Sequence, residues 1–363
     1  MRYLPIGFSR LAQIGQAALL VIALLFFTSC TKAPSRVLIT GKTMGTQYHI
    51  TLASLPDKLN VATIKSEIKD LLKKINQQMS TYIADSEISR FNQYSKTDWF
   101  PVSEDLTFVV SAAQHVSQQT QGAFDITVAP LVDLWGFGTK TIFKIPNDTQ
   151  INTILNNVGY QQLNVSINPP ALQKKNKHLR IDLSAIAKGF AVDKVAELLE
   201  IKGIKNYLVE IGGEIHIHGM SKPNTPWQVG IESPNSNGSK TKQGLLLSNI
   251  ALATSGNYRN YFIKDGTRYS HTINPLTGRP ITHNLASITV LHQSSMMADA
   301  YATALTVMGD DKGKIFAKKL PLYVNMMIKQ GDNVSNWQNI DPIKTPKTAE
   351  KCKKQGGCVY LNQ

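Results

Sequence analysis

Between Val61 and Met79, apolar residues recur every three or four positions: Ile64, Ile68, Leu71, Leu72, Ile75 and Met79 share one face. That period predicts an amphipathic helix. A second helix is predicted from a cap at Ser103 to about Gln121, with Leu106, Val110 and Ala113 inward and Gly122 as its stop. Further helical patterns cover Asp148–Asn157, Ser184–Ile201 and about Met296–Met308, and Ser80–Asn92 reads as loop with room for one short helix. Strand patterns are of two kinds. Val37–Thr40 and Thr46–Leu52 come early, and Arg180–Leu183 resembles a strand end. A later cluster comprises Tyr207–Ile211, Glu214–His218, Trp227–Ile231, Gly244–Thr254, Tyr258–Lys264, His271–Ile273 and Ala286–Leu291, with Ser233–Gln243 as an exposed loop. Gly, Asn and Pro turns join neighbouring runs, which predicts antiparallel pairing. Strands grouped together with flanking helices predict an α+β fold with an antiparallel β-sheet core, not a repeating βαβ chain.

The first 29 residues have a different character. Arg2 and Arg10 form a basic head, and an apolar stretch from Leu11 to Phe27 ends at Thr28-Ser29-Cys30. This pattern predicts a lipoprotein signal peptide over 1–29, lipidation of Cys30 and a linker over 30–36. The apolar core is short for a spanning helix; Phe27 stands where such signals usually carry Leu. On this reading the chain is exported and lipid-anchored at Cys30 on the periplasmic side of a bacterial membrane. The folded domain is expected over 37–340, and 341–363 is a basic tail holding the other two cysteines, Cys352 and Cys358. In an oxidising compartment a bridge between them is plausible chemistry.

The 363 residues are 42% hydrophobic and 18% charged, with a net charge of +14. That composition excludes a disordered chain. Losing the signal removes two arginines and no acids, so the excess persists as +12 and favours anionic ligands or headgroups. No nucleic-acid motif is present.

Two distant runs carry the strongest chemistry. In Asp182-Leu-Ser-Ala-Ile-Ala-Lys-Gly189, a lysine sits in the first turn of a predicted helix. The helix dipole disfavours a cation there, unless an anion sits between the lysine and the free N–H groups. In Ala298-Asp-Ala-Tyr-Ala-Thr303, a carboxylate and a hydroxyl stand four residues apart on one helical face. Magnesium takes hard oxygen ligands and often only one or two protein groups beside phosphate. Asp299 and Thr303, with the carbonyl of Ala185 as a third donor, fit that demand. His271 closes the predicted strand before Asn274-Pro-Leu-Thr-Gly278, where it can serve as a base or a clamp. Glu210-Ile-Gly-Gly-Glu214 reads as a strand kinked by its paired glycines. Ser184 and Lys188 lack the Ser-x-x-Lys spacing, and no Gly-x-Ser-x-Gly elbow surrounds Ser255.

Together these runs resemble the ApbE-type FAD:protein FMN transferase family. The likeness spans most of residues 40–310. It rests on Met44-Gly-Thr46, Met79-Ser-Thr-Tyr82, Ser86–Asn92, Gly122-Ala-Phe-Asp125, Asp182–Gly189, Glu210–Glu214, Thr254-Ser-Gly256, His271–Gly278 and Ala298–Thr303. The resemblance implies an α+β fold and an enzyme that takes FAD as substrate with Mg2+ as cofactor. It implies transfer of FMN to a Ser or Thr of an exported acceptor, such as a flavin-carrying subunit of a membrane redox pump, with release of AMP. By motif, Met44, Tyr82, Ala123, Phe124, Asp125, Asp182, Lys188 and Ile273 would contact FAD, while Ala185, Asp299 and Thr303 would hold the metal. Lys188 would neutralise the diphosphate. His271 is the candidate base, with Asp182 or a water on the metal as alternatives. Two rival readings use the same residues: a magnesium-dependent FAD pyrophosphatase, and a non-enzymatic FAD-binding lipoprotein.

Overall fold

An eight-stranded antiparallel sheet organises the computed structural model, which describes residues 36–138, 145–232, 241–256, 261–264, 266–320, 322–331, 333–339 and 358–362. Its strands are β1 (Val37–Thr43), β2 (Thr46–Leu52), β6 (Tyr207–Ile211), β7 (Glu214–His218), β10 (Ile250–Gly256), β15 (Leu285–His292), β16 (Tyr323–Gln330) and β17 (Asn333–Gln338), side by side in that order. Four small sheets contain the other described strands, the first three being β3 (Phe100–Pro101), β4 (Leu163–Ile167) and β5 (Pro170–Lys174); β11 (Tyr261–Lys264) and β12 (Thr267–Ser270); β13 (Ile273–Asn274) and β14 (Arg279–Pro280). A fourth joins β8 (Trp227–Glu232), β9 (Thr241–Ser248) and β18 (Cys358–Asn362). Seven α-helices lie among the described residues: α1 (Val61–Met79), α2 (Glu87–Gln93), α3 (Glu104–Gln119), α4 (Ala129–Leu134), α5 (Asp148–Leu155), α6 (Ala187–Ile201) and α7 (Ser295–Ala317). None is long and apolar enough to cross a membrane.

The main sheet is buried on both faces. Ile50, Leu52, Val209, Ile211, Ile288, Val290, Val324 and Met326 meet the apolar sides of α1, α6 and α7 in the largest core cluster. Ile217, Leu252, Leu291, Tyr323 and Met327 point the other way, onto Trp227, Val229, Ile231, Leu245 and Leu247 of the β8–β9 sheet. In keeping with this double burial, β15 is buried at every position from Leu285 to Leu291, Ser287 and Thr289 included. The helix periods hold: Ile64, Ile68, Leu72, Ile75 and Met79 of α1 are buried, and Asn60 caps it by accepting from the Ala62 N–H at 2.7 Å. Ser103 caps α3, and Gly122, at φ +84°, turns the chain out of that helix.

Several elements differ from the sequence reading. Arg180–Leu183 is extended but has no ladder partner; the Asn92 side chain clamps both main-chain groups of Ile181, at 2.8 Å each, and so replaces a neighbouring strand. The segment Ser80–Asn92, by contrast, matches its reading as loop with one short helix: α2 is capped by Ser86 and runs one residue further, to Gln93. The run Gly244–Thr254 is two strands in two sheets, split at Asn249 with its φ of +52°. Part of the expected loop Ser233–Gln243 belongs to β9, because Thr241 pairs with Glu232. His271 falls in a bend after β12, not within a strand. The helix expected to end at Met308 continues to Ala317 through a non-helical Gly309, and the pairs β3–β5 and β16–β17 were not foreseen. Cys358–Asn362, placed in the tail, pairs with β9. The signal, Cys30 and Cys352 lie outside the described residues, and so does any bridge to Cys352.

A buried lysine holds the segment leading into α6. Lys174 is fully buried, donates to the Leu179 carbonyl at 3.1 Å and lies over the Phe91 ring. Burial lowers its pKa from 10.5 to about 8, with the Arg180 charge adding to the effect. A folded pKa below the unfolded one makes the charged lysine a penalty below pH 8, which is relieved as pH rises towards 10.5. Wild-type urea midpoints should therefore climb between pH 8 and 10 relative to those of Lys174→Met. Parallel pH profiles in the two proteins would contradict this.

Candidate active site

The α6 and α7 helices cross at a glycine. A Cβ on Gly189 would stand 2.3 Å from the Ser295 carbonyl oxygen, so only glycine permits this approach. Asp193, one turn along α6, fixes the start of α7: it accepts from the Ser294 hydroxyl at 2.7 Å and from the N–H groups of Ser295 and Met296 at 2.9 and 3.0 Å. A carboxylate on these free N–H groups also suits the helix dipole. The outcome is that Lys188 and Asp299, 111 positions apart in the chain, face each other.

Lys188 lies between two carboxylates. Its Nζ is 3.4 Å from Glu214 Oε1 and 3.9 Å from Asp299 Oδ2, and it donates to the Ser184 carbonyl at 3.2 Å. Asp299 Oδ2 also accepts from the Gly189 N–H at 3.2 Å. The first turn of α6, expected to hold a ligand anion, thus already holds the chain's own carboxylate. Burial works against the Lys188 ammonium, but the charges of Asp299 and Glu214 outweigh it and hold its pKa above the ordinary lysine value. Burial pushes both carboxyls up, and Lys188 opposes the shift in each. Glu214 Oε2 is buried without a hydrogen-bond partner among the described residues.

Loops before the helices supply the rest. Asp182 accepts from the Ser184 N–H at 2.8 Å and hydroxyl at 2.6 Å, which folds the turn carrying Ala185 ahead of α6. Its own N–H donates to the Ile126 carbonyl at 2.7 Å. Asp125 is buried and accepts from Thr127 N–H, Thr127 Oγ1 and Tyr160 N–H, so it anchors the loop that presents Ala123 and Phe124. Burial raises its pKa against those bonds.

These residues surround one cavity of about 930 Å3. Tyr82, Ala123, Phe124, Asp125, Asp182, Ala185, Lys188, His271, Ile273, Asp299 and Thr303 all line it. Its size falls at the upper end of the range, roughly 300–1,000 Å3, of small-molecule and cofactor sites. Met44 is the exception. It sits at φ +48° in the β1–β2 turn and lines an adjoining recess with Lys42, His49 and Glu210, which shares the Gly212–Gly213 wall. Glu214 was missed as a site residue. Its only signal was a glutamate directly after a paired-glycine turn, and the partner that gives it meaning lies in another element.

The available donors suit a hard cation with few protein ligands. Asp299 and Thr303 are one helical turn apart in α7, and Ala185 lines the same cavity. No group of three or more His, Cys, Asp or Glu gathers among the described residues. An ion held here would take most of its shell from water or phosphate, a mode that magnesium adopts.

An antiparallel α+β scaffold with a lysine, a carboxylate and a hydroxyl at a deep cavity defines the class: an enzyme built for a large phosphorylated ligand. A family profile described as the ApbE family matches residues 44–328. The FAD:protein FMN transferase of Vibrio cholerae is 42% identical over 87% of this chain and 94% of its own, and that of Escherichia coli K12 is 37% identical over 93% and 97%. The solved flavin transferase ApbE from Vibrio cholerae superimposes with a TM-score of 0.78 at 41% identity, covering 84% of this chain and 97% of that one. The apo flavinyl transferase ApbE of Pseudomonas stutzeri gives 0.78 at 33%, over 84% and 94%. The chain belongs to the ApbE family.

Proposed function

We propose that this protein transfers FMN from FAD to a Ser or Thr hydroxyl of an exported acceptor protein and releases AMP. The observation that carries the reading is the meeting of Lys188, Asp299 and Thr303 with Tyr82, Asp125 and Asp182 at one cavity. In the reaction, the acceptor oxygen attacks the phosphorus of the FMN half. The bridging P–O bond breaks towards AMP, and the hydroxyl proton goes to a base, for which His271 on the cavity wall is the candidate. Phosphoryl transfer of this kind depends mainly on positioning and charge stabilisation.

Each residue has a definite task. Tyr82, 70% exposed at the rim, offers a ring face to an aromatic part of FAD. Asp125 keeps the Ala123–Phe124 loop in place on the wall of the same cavity. The Lys188 ammonium neutralises the diphosphate. Ala185, Asp299 and Thr303 would hold a magnesium ion, which when bound supplies Lewis-acid charge neutralisation at the diphosphate. The acceptor is read as a subunit of a membrane redox pump, and the leader as placing the enzyme on the periplasmic side, lipid-anchored through Cys30.

The test incubates mature protein with FAD, Mg2+ and a flavin-acceptor domain, then reads flavin fluorescence on a denaturing gel. Covalent flavin is expected with Mg2+ and none after EDTA. Rapid free FMN without acceptor would favour pyrophosphatase chemistry instead, and tight FAD binding with no AMP under any condition would favour a carrier.

A further inference from the structure

One ammonium shared by two buried carboxylates raises a question of partition. A lysine paired fully with Asp299 would block that carboxylate from any other cation. We propose that Glu214 is a positioning residue that draws Lys188 away from Asp299 and so leaves Asp299 free for the divalent ion. The inference rests on the reading of Asp299 as a metal ligand.

The geometry supports the partition. Lys188 Nζ is closer to Glu214, at 3.4 Å, than to Asp299, at 3.9 Å. Both carboxylate side chains are nearly inaccessible, at 5% and 7% exposure, so their charges act with little screening. Glu214 Oε2 has no partner, and the residue lies on the cavity wall. It is therefore a spare acceptor, able to keep the ammonium when Asp299 turns to another cation. The backbone delivers Glu214 firmly. It is the first residue of β7, paired with Ile211 across Gly212 and Gly213, whose φ angles of +63° and +106° suit glycine. A Cβ at Gly212 would meet Thr46 Cγ2 at 2.8 Å, so this turn is also packed against the β1–β2 hairpin. Without Glu214, Asp299 is the carboxylate left within ion-pair distance of the Lys188 ammonium among the described residues, at 3.9 Å.

The probe is Mn2+ alone, with free ion counted by electron paramagnetic resonance. It is applied to the whole protein without FAD as wild type, Glu214→Gln, Lys188→Met and the double variant. Glu214→Gln should weaken Mn2+ binding about ten- to a hundredfold. Most of that loss should vanish in the Lys188→Met background, where no ammonium remains to occupy Asp299. Equal losses in both backgrounds, or no loss in either, would overturn the proposal. Lys188→Met alone must tighten Mn2+ binding. Should Glu214→Gln fail to fold, unchanged or weaker binding in Lys188→Met still overturns it. Wild-type protein that binds no Mn2+ at millimolar concentration refutes the underlying reading of the metal site instead.

Discussion

Asp299→Ala should lower flavin transfer about a thousandfold while the chain folds and still binds FAD. The rate effect follows from where the carboxylate sits. It is buried, faces Lys188 at 3.9 Å and is one turn from Thr303 on the wall of the cavity. Removing a preorganised charge from such a site costs about two to three orders of magnitude in rate, a loss that includes the Lewis-acid contribution of the metal it would hold. The fold should survive because other contacts secure the surroundings. Lys188 keeps Glu214 and the Ser184 carbonyl as partners, and Asp193 still holds the start of α7. The Gly189 N–H loses its acceptor, but Asp299 lines the cavity, and water entering the space it vacates can replace it. Gel fluorescence for transfer and FAD titration for binding separate the two effects. Turnover within a few-fold of wild type would remove Asp299 from the site.

Gly189→Ala should damage both stability and rate. The added methyl would stand 2.3 Å from Ser295 O and 2.6 Å from Met296 Cα. Both are main-chain atoms, so no side chain can turn aside to make room. The α6 and α7 helices must part, at a cost of about 3 kcal/mol, the upper range for overpacking. Their separation moves Lys188 relative to Asp299, and a displacement near one ångström costs about a hundredfold in rate. A thermal melt and the transfer assay read the two losses. Wild-type values in both would show that the helix crossing is looser than its geometry indicates.

Much of this fold was legible because local patterns decided it. The α1 stripe and the Ser103 cap each lie within a few turns of chain, and both helices fall where the pattern placed them. Failures came where distant residues set the outcome. Arg180–Leu183 looks like a strand by composition, but Asn92, 89 positions away, satisfies Ile181 and makes a ladder unnecessary. Asn249 divides one apolar run between two sheets through a positive φ that asparagine tolerates and composition does not reveal. The site divides in the same way. Lys188, Asp299 and Thr303 could be found because their helical spacing is readable, and the ApbE resemblance ordered the remaining motifs. Glu214 could not be singled out, since its meaning depends on a lysine in another element and on a buried oxygen left without a partner. Met44 carried a motif signal, yet it lines the neighbouring recess, which shares Gly212 and Gly213 with the main cavity.

The decisive measurement is anomalous diffraction from crystals grown with Mn2+ and FAD. A single Mn2+ peak is expected about 2.1 Å from an Asp299 oxygen and from the Thr303 hydroxyl, with the FAD diphosphate reaching the same ion and Lys188 turned towards Glu214. A diphosphate bound away from these residues, with Asp299 still paired to Lys188 and no ion between them, would contradict it.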